Sequence, residues 1–314
     1  VSAVFEHAAA AMGTVVSVQV AGCSRATGKA RALRALEWFS HVETASSRFL
    51  PDSELRQLCT TVGTFVPLSE MLFELLQFSL ALAEATGGAF DPTVGAAMVR
   101  RGFDRDWRHG RATTGVATTA LAVEHERASW RDLELDVNAR TLRLCRPLLL
   151  DLGAIAKGLA VDLAARDLAD LEHYAIDAGG DLYLAGTNGV GAPWTVGIRH
   201  PRIPTQFVTT LQLSGRGVCT SGDYENRSAC GDGHHLLDPR HHHANATTAV
   251  SATVITEHAM VADGLSTAAF VMGPTDGIAL LEAHGVEGML VGADGAPVYT
   301  SGMWQYQAMS ATHG

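Results

Sequence analysis

Residues 151–162 read Asp-Leu-Gly-Ala-Ile-Ala-Lys-Gly-Leu-Ala-Val-Asp. A carboxylate, a turn glycine and an apolar helix start follow one another, which predicts a strand ending at Asp151, a break at Gly153 and a helix from about Ala154 to Leu171. Upstream, Leu133–Leu150 holds two strands around the turn Val137-Asn138-Ala139-Arg140. Downstream, the apolar run Tyr174–Ala178 predicts a buried strand, Gly179-Gly180 a tight bend and Leu182–Ala185 a second strand. Further strands are predicted at 12–20, 194–198, 209–213, 218–220 and 251–256, with a closing hairpin from Gly288–Val291 and Pro297–Thr300. Amphipathic periodicity predicts helices at Arg25–Ser46, Leu68–Ala85 and Met260–Met272, and a short one capped by Asp52 or Ser53. Strands and helices mix without strict alternation, so the predicted class is α+β rather than a doubly wound parallel sheet. No repeat or dividing linker is visible, and 1–314 reads as a single domain.

The chain has 314 residues, 47% hydrophobic and 18% charged, an ordinary balance for a sizeable core. Its net charge of −10, from 23 Lys+Arg against 33 Asp+Glu, excludes a basic nucleic-acid surface. An acidic protein that handles a phosphate needs a local cation, a metal ion or a placed lysine. No apolar run reaches the ~20 residues of a membrane span, so no transmembrane segment is expected. No basic flank and apolar core mark a leader in residues 1–11, so a cytoplasmic location is expected as the sequence stands, and an extracytoplasmic, membrane-associated one if the N-terminus has been trimmed. Cys23, Cys59, Cys145, Cys219 and Cys230 are odd in number and form no Cys-x-x-Cys pair, so free thiols are expected.

Five segments carry candidate chemistry. At the start of the 154–171 helix, free N–H groups favour an anion, and Lys157 lies one turn in; a plain strand-to-helix junction is the competing reading. In Ala262-Asp263-Gly-Leu-Ser266-Thr267, Asp263 and Thr267 share one helical face and offer hard oxygens for a cation such as Mg²⁺; the alternative is a first-turn carboxylate and a hydroxyl bonded back to its own helix. Thr86-Gly-Gly-Ala89-Phe90-Asp91-Pro-Thr93 sets an aromatic and an acid in a rigid turn, either to meet a ligand or as a helix cap and Asx turn. Gly179-Gly180 permits close backbone approach, to a ligand or within a hairpin. In Thr220-Ser221-Gly222-Asp223-Tyr224-Glu225 and His234-His235-Leu-Leu-Asp238-Pro-Arg240-His241-His242-His243, three readings stand together: His235 and Asp238 activating a hydroxyl, a transition-metal site of clustered imidazoles, or a solvated polar loop.

Taken in order, these segments resemble the ApbE family of FAD:protein FMN transferases. Met12-Gly13-Thr14, Ser47-Arg48-Phe49 with Ser53-Glu54-Leu55, Thr86–Gly95, Asp151–Gly158, Gly179-Gly180-Asp181, Ser221–Glu225, His234–Arg240 and Ala262–Ala268 follow in the family's order, from about residue 12 to 300. The resemblance implies one α+β domain of two closely packed lobes with the flavin in the cleft between them. It implies that Met12, Phe49, Ala89, Phe90 and Asp91 lie near the flavin or its adenosine. Asp151, Lys157, Gly179, Gly180 and His235 are implied on FAD, and Ala154 and Ser266 (through their carbonyls), Asp263 and Thr267 around Mg²⁺. Lys157 and Mg²⁺ would neutralise the pyrophosphate while Asp238 or His235 takes the proton of the attacking hydroxyl. The partner implied is an acceptor protein whose FMN-binding domain carries a Thr/Ser flavinylation motif, roughly Asp-x-x-Ser/Thr-Gly/Ser/Ala-Ala/Ser-Thr. This chain departs from the family at His241–Asn245, where Thr-Gly-x-Pro is usual, and at Cys59, where Asn is common. FAD pyrophosphatase activity, giving FMN and AMP, needs the same groups. A non-catalytic flavin-binding protein and a transition-metal binder are the other readings.

Overall fold

Eight strands, all paired antiparallel, run side by side in the order β1-β2-β6-β7-β10-β11-β12-β13 and form the backbone of the molecule in a computed structural model. The structure describes residues 4–104, 128–224, 235–240 and 248–308. Strands β1 (Val4–Ala11) and β2 (Thr14–Ala21) form a hairpin whose two turn residues, Met12 and Gly13, both have positive φ, 49° and 81°. That is the backbone a right-twisted hairpin selects. The predicted strand at 12–20 is β2, shifted by the turn; β1 was not predicted. Its second half is Ala8–Ala11, which carries no strand propensity, and pairing with β2 makes it extended. Val16, Val18 and Val20 of β2 alternate into the core, fully buried.

The next strands are β6 (His173–Ala178), β7 (Leu182–Ala185), β10 (Arg216–Gly222), β11 (Ala249–Thr256), β12 (Glu287–Gly292) and β13 (Pro297–Tyr299). Every residue of β11 is buried, as its place between β10 and β12 under two covered faces requires. One face carries three helices: α1 (Arg25–Ser46), α5 (Gly153–Asp167) and α6 (Ala259–Ala283). Between α1 and α5 in sequence come α2 (Glu54–Leu58), α3 (Glu70–Ala85) and α4 (Gly95–Arg100). Ser24, Ser53 and Ser69 cap α1, α2 and α3 by accepting backbone N–H bonds. Helix α3 stops where Gly87 and Gly88 take positive φ. The other face is covered by a separate two-stranded ribbon, β8 (Trp194–Arg199) with β9 (Phe207–Leu213), over a second apolar cluster that includes Leu184, Trp194, Leu211, Val218 and Met289. A small sheet of β3 (Val66–Pro67), β5 (Thr141–Leu144) and β4 (Leu133–Asp136) completes the architecture.

Two predicted boundaries move. The strand expected to run to Leu150 ends at Leu144, and Leu148, Leu149 and Leu150 are buried in irregular chain after Pro147, which has no N–H for a ladder. The helix expected to end at Met272 continues to Ala283 past a kink at Gly273 (φ 83°) and Pro274. In length and composition α6 matches a membrane-crossing helix, yet it packs on α5, β10, β11 and β12 and spends its apolar surface on the core.

Helices α5 and α6 are locked at their crossing. A Cβ on Gly158 would lie 2.6 Å from the Ala259 carbonyl oxygen and from Met260 Cα, so only glycine allows this approach. The half-buried Asp162 carboxylate caps α6, accepting from Ala259 N–H at 2.7 Å and Met260 N–H at 2.9 Å. Burial, against those two bonds, pushes the Asp162 carboxyl up to about 6. The folded state therefore holds an extra proton between about pH 4 and pH 6. Stability should fall as pH rises through that window, by on the order of 2–3 kcal/mol, and level off above it. Denaturant titrations from pH 4 to 7 should show this slope in the parent protein and a flatter one in Asp162→Asn; identical slopes would contradict the assignment.

Candidate active site

Lys157 stands on the first turns of α5, and its ammonium faces two carboxylates from distant parts of the chain. Nζ lies 2.6 Å from Asp181 Oδ2 and 3.8 Å from Asp263 Oδ2. Asp181 follows the Gly179-Gly180 bend, where φ is 67° and 99°; a Cβ on Gly179 would strike Thr14 Oγ1 at 2.2 Å, so the bend folds tightly onto the β1–β2 turn. Asp263 sits on the second turn of α6. The Gly158 N–H, whose ordinary helical acceptor is the Ala154 carbonyl, donates to Asp263 Oδ2 at 3.1 Å, so that carbonyl and carboxylate lie beside one another.

Around Asp263 the oxygens continue. The Ser221 hydroxyl of β10 lies 2.8 Å from Ser266 Oγ and 3.1 Å from Thr267 Oγ1, and Ser266 Oγ donates to the Asp263 carbonyl at 2.9 Å. Ser266 is fully buried behind Asp263 and Thr267, which face a cleft of about 1250 Å³. Two buried carboxylates confront one ammonium, a local excess of negative charge. Burial, then the charge of Asp181, pushes the Asp263 carboxyl well above the usual carboxylate range, against Lys157 and the Gly158 N–H. Burial draws the Lys157 ammonium down, but Asp181 and Asp263 outweigh it and hold it above an ordinary lysine. Asp181 Oδ2 is buried with no hydrogen-bond donor aligned on it among the described residues, its contact with Lys157 being ionic. An all-oxygen set with surplus buried negative charge fits a hard divalent cation such as Mg²⁺. Among the described residues no three His, Cys, Asp or Glu side chains gather as a metal centre, and His234 and His241–His243 lie outside them. The set beside Asp263 relies instead on hydroxyl and carbonyl oxygens with one carboxylate.

The same cleft is lined by Met12, Phe49, Ala89, Phe90, Asp91, Asp151, Ala154, Lys157, Gly179, Gly180 and His235, so the structure brings together segments far apart in sequence. Several are committed to neighbours. Asp91 accepts from the Thr93 N–H and hydroxyl and from Trp130 N–H, and burial raises its carboxyl pKa. Asp151 Oδ2 pairs with buried Arg48 at 2.6 Å, and its Oδ1 accepts from Gly153 N–H at 2.8 Å at the start of α5. Arg48 also donates to the Phe103 carbonyl at 2.5 Å, and the Phe103 ring meets His235 edge-on at 6.4 Å between centroids. Asp238 does not line the cleft. It lines a smaller adjoining cavity with Asp91, Arg100 and Arg101, and Arg240 binds both its oxygens at 2.9 and 2.8 Å. Sequence reasoning did not place Arg48, Asp181 or Ser221 in the site. Asp181 carried a legible signal, a carboxylate directly after paired glycines; Arg48 and Ser221 stood in the Ser47–Phe49 and Ser221–Glu225 motifs, which gave neither a role of its own.

The model of the ApbE family matches residues 12–290. The chain belongs to the ApbE family. Among its curated ApbE relatives, the FAD:protein FMN transferase of Vibrio cholerae serotype O1 is 31% identical over 258 residues, which cover 80% of this chain and 75% of the relative. That of Haemophilus influenzae is 30% identical, covering 80% and 75%. Solved structures agree: the ApbE protein of Thermotoga maritima superposes with a TM-score of 0.85 at 27% identity over 98% of this chain and 100% of its own. The flavin transferase ApbE of Vibrio cholerae gives 0.84 at 25% identity over the same shares. The predicted α+β class and the ApbE resemblance agree with these findings.

Proposed function

We propose that this ApbE-family protein transfers the FMN half of FAD to a Thr or Ser hydroxyl of an acceptor flavoprotein and releases AMP. The observation that carries this reading is the meeting of Lys157, Asp181, Asp263 and Thr267 at the floor of one large cleft. In the reaction the acceptor hydroxyl oxygen attacks the FMN-side phosphorus. The bond from that phosphorus to the bridging oxygen breaks, AMP leaves with the bridging oxygen, and the hydroxyl proton passes to a base. Lys157 binds the pyrophosphate, and the positive end of the α5 dipole favours the same charge. His235 is better situated than Asp238 as the base, since its ring lines the cleft whereas Arg240 engages both Asp238 oxygens. Asp263, Thr267 and the Ala154 and Ser266 carbonyls would hold Mg²⁺, which supplies charge neutralisation at the phosphates when bound. Met12, Phe49 and Phe90 offer apolar surface to the flavin and adenine rings.

The test is incubation with FAD, Mg²⁺ and an FMN-binding domain carrying an Asp-x-x-Ser/Thr-Gly/Ser/Ala-Ala/Ser-Thr motif. Mass analysis should show the acceptor gaining FMN as a phosphodiester, in step with AMP. Free FMN and AMP with an unmodified acceptor would establish hydrolysis instead.

A further inference from the structure

We infer that the acceptor polypeptide docks by adding a strand to the free edge of β8, beside the cleft; the inference rests on the transferase reading above. Among the described residues, ribbon β8–β9 has one edge taken and one open. On the β9 side, Gln212 N–H donates to the Tyr306 carbonyl at 2.8 Å, and the Thr210 carbonyl accepts from Ala308 N–H at 2.8 Å. Gln212 and Thr210 thus turn their backbone groups away from β8. Their partners across the ladder are Thr195 and Gly197. In an antiparallel pair, residues opposite such positions also turn their N–H and C=O outward. Thr195 and Gly197 therefore present two donors and two acceptors along the outer edge of β8. Both are exposed, and among the described residues no hydrogen bond takes these groups up.

That edge borders the cleft. Residues 195–199 line the cleft without a gap. Side chains of a strand alternate between faces, so an unbroken run means that the strand edge itself borders the space. Phe207, across the ladder from Arg199, lays its ring over Gly197 and stays 65% exposed, an apolar platform beside the open edge. Arg199 ends the edge with a cation that has no ion pair among the described residues. The occupant these features fit is an extended segment of the acceptor, bonded through its main chain to Thr195 and Gly197. It sets an apolar side chain on Phe207 and an acidic one near Arg199, while its Ser or Thr hydroxyl reaches toward Lys157. Strand addition of this kind takes affinity from the main chain and leaves side chains to select.

Thr195→Pro deletes one outward N–H and leaves the β9 ladder intact, since proline is tolerated at a strand edge. With the motif-bearing FMN-binding domain as acceptor, its KM should rise about tenfold. FAD affinity by fluorescence titration should not change, and Thr195→Ala, which keeps the N–H, should behave as the parent. Independently of any variant, amide exchange at Thr195 and Gly197 in the unaltered protein should slow when that domain is added. An unchanged acceptor KM in a folded Thr195→Pro protein, or amides that exchange equally fast with saturating acceptor, would overturn the docking mode while transfer continued. Cleavage of FAD by the unaltered protein with no transfer to the domain would instead remove the transferase reading, and the docking inference with it.

Discussion

Asp263→Asn should lower FMN transfer by about a thousandfold or more while leaving the protein at least as stable as its parent. The carboxylate is nearly inaccessible, shares the Lys157 ammonium with Asp181, and is, among the described residues, the one charged oxygen ligand offered beside Thr267. Asparagine keeps an acceptor for the Gly158 N–H but removes the charge. What remains is a balanced pair, Lys157 with Asp181, in place of two carboxylates competing for one cation. Burying an unbalanced charge is costly, so its removal offsets whatever packing is lost. The measurements are acceptor mass after incubation with FAD and Mg²⁺, and the thermal unfolding midpoint. Transfer at the parent rate would remove Asp263 from the mechanism. Lost transfer with a collapsed midpoint would make its role structural.

Lys157→Met should fail in both respects. Asp181 and Asp263 would be left buried with no cation between them, and breaking a buried pair from one side costs about 3–5 kcal/mol. Because the three groups form one network, the effects should not add: Lys157→Met with Asp263→Asn should recover part of the lost stability. The two carboxylates alone should also attract a divalent ion more strongly. Mg²⁺ should therefore raise the unfolding midpoint of Lys157→Met more than that of the parent, and should leave Asp263→Asn unmoved. These shifts read cation binding without reference to turnover. Equal Mg²⁺ responses in all three proteins would place the ion elsewhere.

Much of this was legible in the residues. Apolar periodicity located α1 and α3, the glycine stop closed α3, a cap at Asp52 or Ser53 marked α2, and the β2, β6 and β11 strands stood out by their apolar runs. The order of the Thr86, Asp151, Ser221 and Ala262 segments pointed to the ApbE family, and the cleft collects residues from all four. Strand β1 was hidden because its alanines become extended only through pairing with β2. The second half of α6 was hidden because Gly273-Pro274 reads as a stop, and only packing on β12 shows that the helix resumes. Asp238 read as a candidate base by its place in a motif, yet the neighbouring Arg240 engages both its oxygens, a geometry that spacing does not specify.

The sequence by itself determined which segments could bear phosphate and cation chemistry, because hydroxyls, carboxylates and a lysine at helical spacing are properties of residue type and short-range geometry. Only the tertiary structure decided which charges meet. Lys157 comes between Asp181 and Asp263, and Arg48 reaches Asp151, because the α5–α6 crossing at Gly158 and the bend at Gly179-Gly180 bring separate stretches within ångströms. The electrostatic sign of the site follows from that convergence: Coulomb energy depends on distance and burial, and neither is written in the order of residues.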